Sequence, residues 1–221
     1  MRFTSVTEND IVLDSYSNRS IRVEPLQFQI PRMYMPFGVS GFTPPYGTTK
    51  YNIDFSMKGW DQSGGYINKF YEFIQMIENK VISHVEILSE EIFGNKMSRD
   101  ELLAVFNSNI KFSPNHDPKF RVKVSEKTQF FDVNDNELSE ELSEGLYKRY
   151  TGAAFVQFGN IYFFNKRFGI TWTINQVKIY EPQRIHGFAF TEGDDFDEGD
   201  FSDEEEPKQK QKLSGFQFKN V

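Results

Sequence analysis

The chain has 221 residues, a formal net charge of -7 and no cysteine. That excludes disulfides, thiolate catalysis, Cys-ligated zinc and iron-sulfur clusters, and favours a reducing, intracellular compartment. No stretch reaches the roughly 18 apolar residues of a membrane span and the N-terminus lacks a signal-peptide core, so a soluble protein without a membrane partner is expected.

The charge is unevenly distributed. Residues 192–206 hold ten carboxylates and no Lys or Arg, and residues 207–221 carry four lysines, which leaves -1 for residues 1–191. A nearly neutral body can still gather its cations on one face. Aromatic residues make up 16% of the chain, with 24 Phe, 10 Tyr and 2 Trp. That exceeds the usual need of a core this size, so some rings are expected at the surface.

Residues 1–19 are polar and are read as a flexible N-terminus. In residues 20–30, Ile21, Val23, Leu26, Phe28 and Ile30 alternate with a one-residue shift at Pro25, which suits an edge strand or a bulge. Residues 31–49 are rich in Pro and Gly yet contain Met33, Tyr34, Met35, Phe37, Phe42 and Tyr46; a loop this long and aromatic suggests a functional use. Residues 50–57 alternate as a half-buried strand through Tyr51, Ile53, Phe55 and Met57. After the Gly64-Gly65 break, Ile67, Phe70, Ile74, Ile77, Val81 and Ile82 recur at three- and four-residue steps, predicting an amphipathic helix over about 66–93. A short helix follows at 99–106, with Ser98 as N-cap and Glu101 at the capping-box position.

The second half reads as strands at 110–112, 119–124, 129–133, 154–158, 160–165 and 169–180, with a hairpin connection at 165–169. Trp172 shares a strand face with Ile170 and Ile174 and is expected in the core. The pattern fits a mainly β domain over 20–190, a Greek-key barrel with an inserted helix.

His84, His116 and His186 show no metal-ligand spacing, and no phosphate-loop, dinucleotide or nucleophile-elbow motif occurs. No catalysis, metal or cofactor is expected. Lys119, Arg121 and Lys123 alternate with Phe120, Val122 and Val124, which puts three cations about 7 Å apart on one strand face, a spacing suited to backbone phosphates. Two further segments mix rings with cations, around Arg149 and Tyr150 and through Tyr162, Phe164, Lys166, Arg167 and Phe168. Rings beside cations suit single-stranded nucleic acid, where stacking contributes roughly 1 to 3 kcal/mol per base. Any single Phe is more often core; Phe164 and Phe168 flank the hairpin tip and stand evenly between the two roles.

The acidic run, with Asp194, Asp195, Phe196, Asp197, Phe201, Asp203, Glu204 and Glu205, is read as a disordered partner-binding tail over 191–206. Such a tail can compete with a nucleic acid for a cationic groove, recruit basic proteins, or simply aid solubility.

The order of elements resembles a known family. A Gly-containing lead-in and strand (Gly47 to Phe55) are followed by a helix, paired strands near 120–133, a Gly-initiated strand (Gly152 to Phe158), an aromatic-basic hairpin, a long last strand and an acidic tail. This is similar to the single-stranded DNA-binding proteins of short-tailed lytic phages and large nucleocytoplasmic DNA viruses. The resemblance implies an OB fold, sequence-independent DNA binding in replication, recombination or repair, and a location in host cytoplasm or nucleus. It also implies tail contacts with DNA polymerase, helicase/primase or other replication proteins, and assigns Phe164, Lys166, Arg167 and Phe168 to DNA contact. A homodimer is left open. The chain departs from the family at its end, where Phe196 and Phe201 lie inside the acidic run and a basic extension, 207–221, follows. The alternative is a histone-chaperone-like protein whose acidic tail shields basic partners; a virion structural protein ranks third.

Overall fold

A computed structural model describes residues 1–182. Thirteen strands form one sheet: β1 (Leu13–Ser17), β2 (Ser20–Val23), β3 (Leu26–Gln29), β4 (Met33–Met35), β5 (Val39–Phe42), β6 (Lys50–Ser56), β7 (Phe106–Asn107), β8 (Ile110–Ser113), β9 (His116–Val124), β10 (Gln129–Phe131), β11 (Glu137–Leu138), β12 (Tyr150–Phe164) and β13 (Arg167–Tyr180). Among the described residues three α-helices, α1 (Tyr66–Ile87), α2 (Ser89–Phe93) and α3 (Arg99–Val105), lie between β6 and β7.

The strand path runs β12-β4-β6-β9-β13, and β13 pairs back with β12, so these five strands close into a barrel. Neighbours are antiparallel except β9 and β13, which run parallel where Thr173 meets Lys123. This is a mainly β, OB-type barrel with an inserted helix. Closure removes the unpaired edges that an open sheet of these strands would expose.

Period-two alternation decides what faces inward. Ile53 and Phe55 from β6, Phe120, Val122 and Val124 from β9, Val156 and Phe158 from β12, and Ile170, Trp172 and Ile174 from β13 are all buried. Trp172 sits at the centre, against Phe28, Phe120 and Phe158 with ring centroids 5.1 to 5.7 Å apart. The apolar stripe of α1, including Phe70, Ile74, Ile77 and Val81, packs into this core, and Phe70 meets Phe120 edge-on. The Ser98–Glu101 capping box starts α3 as expected.

The structure corrects the reading of residues 1–19 as a flexible leader. Phe3, Val6 and Ile11 are buried, the Phe3 ring lies against Tyr66, Phe70 and Phe73, and β1 pairs with β2. Apolar residues set sparsely among polar ones are enough here because α1 offers an aromatic surface to receive them. Residues 20–30 split at Pro25 into β2 and β3, and the 31–49 segment contains two short strands, β4 and β5. The paired readings at 154–158 and 160–165 fuse into β12, whose pairing with β13 shifts register between Phe158 and Ile161.

Candidate functional site

The outer face of the barrel at β6 and β9 carries the row of cations. Register places Ser56 opposite Lys119, Asp54 opposite Arg121 and Asn52 opposite Lys123, and cross-strand partners point to the same side of a sheet. Pairing extends the rows: Tyr34 of β4 joins at Ser56, Lys111 of β8 at Lys119, and Phe42 of β5 at Lys50. Lys119, Arg121 and Lys123 therefore share one surface, as their alternation predicts.

One exposed ring contacts a cation of this row, and others adjoin it in sequence and pairing. Phe37 (46% exposed) lies under the Lys119 ammonium, 5.1 Å from its ring centroid, and Phe42 (63%), Tyr46 (94%) and Tyr34 (43%) stand nearby in sequence and pairing. Gly38 fixes where Phe37 sits: it adopts a left-handed conformation, φ 63°, and an added Cβ would collide with the backbone of Leu146 and Lys148. Phe112, next to Lys111, is exposed and meets Trp60 edge-on at 5.6 Å, and Trp60 in turn packs on Tyr71 of α1. Phe42, Lys50, Tyr51, Asn52, Lys123 and Lys127 help line an open hollow of about 670 Å³.

The surface continues past β9. The Lys111 ammonium donates to Asn107 Oδ1 at 2.8 Å, and the Asn107 amide donates to the Tyr162 hydroxyl at 2.9 Å. Tyr162 pairs with Gly169, and two residues on, Phe164 pairs with Arg167 at the hairpin tip. Phe164 is 67% exposed. The two-residue turn, Asn165 and Lys166, has positive φ at both positions, the geometry of a type I′ hairpin. Arg149 is exposed at the entry to β12, where its amide donates to Met35 O, and the Tyr150 hydroxyl donates to Glu181 at 3.2 Å.

Phe168 is a correction. It is fully buried, stacked on Phe163 at 5.7 Å and packed against Phe93 and Phe106, so its ring has no face left for a ligand. The signal was present in the sequence, since 168 is in step with 170, 172 and 174, the face that carries Trp172. Residues that sequence reasoning did not place in the site are Tyr34, Phe37, Phe42, Lys50, Lys111 and Asp54. Lys50 and Asp54 have the outward parity of their strand; Phe37 and Phe42 lie in the aromatic loop singled out above.

Local electrostatics differ along the row. Partial burial, followed by the nearby Lys50 charge, lowers the pKa of Lys123. Burial, followed by the Arg121 charge, lowers that of Lys111. Neither lysine forms an ion pair among the described residues. Arg121 instead donates through Nε and Nη2 to both oxygens of Asp54, at 2.7 and 2.8 Å. Beneath this face, Glu78 of α1 is buried and accepts from the Ser108 hydroxyl and the backbone N–H of Asn109; burial raises its pKa against those hydrogen bonds. It anchors the β7–β8 turn next to Lys111. Cations on regular spacing with flat rings among them suit an anionic chain that carries planar apolar groups. No cluster of metal-ligating side chains is present among the described residues. The acidic run and its residues Asp194 to Glu205, and the extension 207–221, lie outside the described residues.

The profile of a family of unknown function (DUF5871) matches residues 67–192, more than half of the chain, and the chain belongs to that family. No curated protein matches it. Among solved structures, the single-stranded DNA-binding protein from bacteriophage Enc34 in complex with ssDNA is 14% identical, covering 80% of this chain and 98% of that one with a TM-score of 0.41. The single-stranded DNA-binding protein gp2.5 of bacteriophage T7 is 10% identical, covering 75% and 92%, with a TM-score of 0.49.

Proposed function

We propose that this member of a family without an assigned function is a sequence-independent single-stranded DNA-binding protein. The observation that carries the reading is the outer β6–β9 face, where Lys119 and Lys123 stand among the exposed rings of Tyr34, Phe37 and Phe42. An extended strand would cross this face from the hollow at Phe42 and Lys50 to the Phe164–Arg167 hairpin tip, phosphates on the lysines and bases on the rings. Arg149 flanks the Phe37 loop, and Tyr162 bridges the two halves. The protein would act stoichiometrically, without catalysis, in replication, recombination or repair. The acidic run of 192–206 would compete with DNA for the cationic face or recruit replication proteins.

Fluorescence anisotropy with a labelled oligothymidine strand tests this. The expected result is tight binding at low salt, with log affinity falling linearly in log salt at about 0.7 per phosphate neutralised. Deleting residues 192–221 should raise the affinity. Absence of binding at low salt, together with tight histone binding, would establish the chaperone reading instead.

A further inference from the structure

Arg121 stands in the middle of the cationic row, yet its chemistry is unlike that of its neighbours. The guanidinium is gripped edge-on by Asp54 through two hydrogen bonds, and the Asp54 side chain is 4% exposed while that of Arg121 is 47% exposed. The pair follows from strand register, Asp54 opposite Arg121. Two consequences follow from its geometry. The positive charge is matched at contact distance by a buried carboxylate, so the pair offers a phosphate little net attraction, and any phosphate reaching Arg121 also approaches Asp54. The guanidinium plane is fixed by the two-point contact, and a weakly hydrated, delocalised plane of this kind stacks on flat rings. Burying an ion pair is commonly no better for stability than an apolar pair of the same size, so stability alone gives little reason for one on this face.

We infer that Arg121 is a nucleobase-stacking site, with Asp54 as the positioning residue that holds its plane, while Lys119 and Lys123 beside it take phosphates. The row is thus divided between two tasks: base, on the neutralised arginine, and backbone, on the lysines that have no carboxylate partner among the described residues. The inference rests on the single-stranded DNA reading given above.

The test uses the full chain and two labelled strands of equal length and charge, oligothymidine and an abasic deoxyribose-phosphate strand. The double variant Asp54→Asn with Arg121→Gln removes the pair without changing net charge. It should weaken oligothymidine binding between about 5- and 150-fold. Abasic binding and both salt slopes should stay unchanged. Arg121→Lys, which keeps a cation opposite Asp54 but removes the plane, should give the same pattern and guards against a folding defect in the double variant. Lys119→Ala is the contrast, expected to weaken both strands and to lower both slopes by about 0.7. Equal losses on the two strands, a slope that falls in the double variant, or no loss on oligothymidine would each overturn the assignment. Failure of the unmodified chain to bind oligothymidine would overturn the DNA reading instead, and the two failures are distinguishable.

Discussion

Lys123 on β9 and Lys166 on the β12–β13 turn carry the same charge on very different supports. Lys123 belongs to a nine-residue strand, its direction set by register with Asn52 on one side and Thr173 on the other. Lys166 sits on a two-residue turn with φ 59°, a region that L residues occupy at a cost. The strand holds its cations at a fixed spacing, whereas the turn holds them at a conformational cost. A ligand crossing both would meet evenly spaced cations first and a strained two-residue turn second.

The sharpest way to break that comparison is to remove the rings of the rigid half. Phe37→Ala with Phe42→Ala should cost about 2 to 6 kcal/mol of oligothymidine binding with an unchanged salt slope, read by anisotropy. Next in size is the contrast across the hairpin between two Phe residues four positions apart. Phe168→Ala should lower unfolding stability by about 3 to 5 kcal/mol in a denaturant titration. Phe164→Ala should leave stability within about 0.5 kcal/mol and weaken binding by about 1 to 3 kcal/mol. A stability loss at Phe164 would place that ring in the core and end its role at the tip.

Cation removal compares the two supports directly. Lys119→Ala with Lys123→Ala, and separately Lys166→Ala with Arg167→Ala, should each lower the salt slope by about 1.4. An unchanged slope for the second pair would confine the site to β6 and β9. The smallest effect belongs to Lys166→Gly, which should stabilise the fold by about 1 kcal/mol in thermal melts while removing one phosphate contact, because glycine adopts the turn geometry without a Cβ clash.

The legibility of the molecule followed the range of the interaction. The α1 helix, the capping box at Ser98 and the outward triplet of β9 depend on neighbours a few residues away, and their periodicity was readable. The burial of Trp172 was equally plain, and the same parity, carried four residues back, would have placed Phe168 in the core. Asp54 was not assignable to Arg121, because their meeting depends on a register between strands 67 residues apart. The burial of the N-terminal segment escapes the sequence for a related reason: Phe3 is buried by rings on α1, far along the chain, that its own surroundings do not announce. Phe37 and Phe42 were visible as an aromatic loop, but only the pairing of β5 with β6 brings Phe42 beside the cations.

Barrel closure itself is uneven. β12 and β13 are zipped along most of their length, and β6 pairs with β9 from Tyr51 to Ser56. By contrast, β4 meets β6 at Tyr34–Ser56 and β9 meets β13 at Thr173–Lys123, a single bridging pair at each seam. Strands β7 and β10 reinforce β13 on either side of Thr173, so the β4–β6 seam is the weaker hinge and thermal opening should begin there. Amide protons of Tyr34 and Ser56 should exchange with solvent sooner than those at the middle of β12. Both residues lie on the face proposed to bind DNA, so a strand crossing it would act as a stitch over that hinge and slow the exchange.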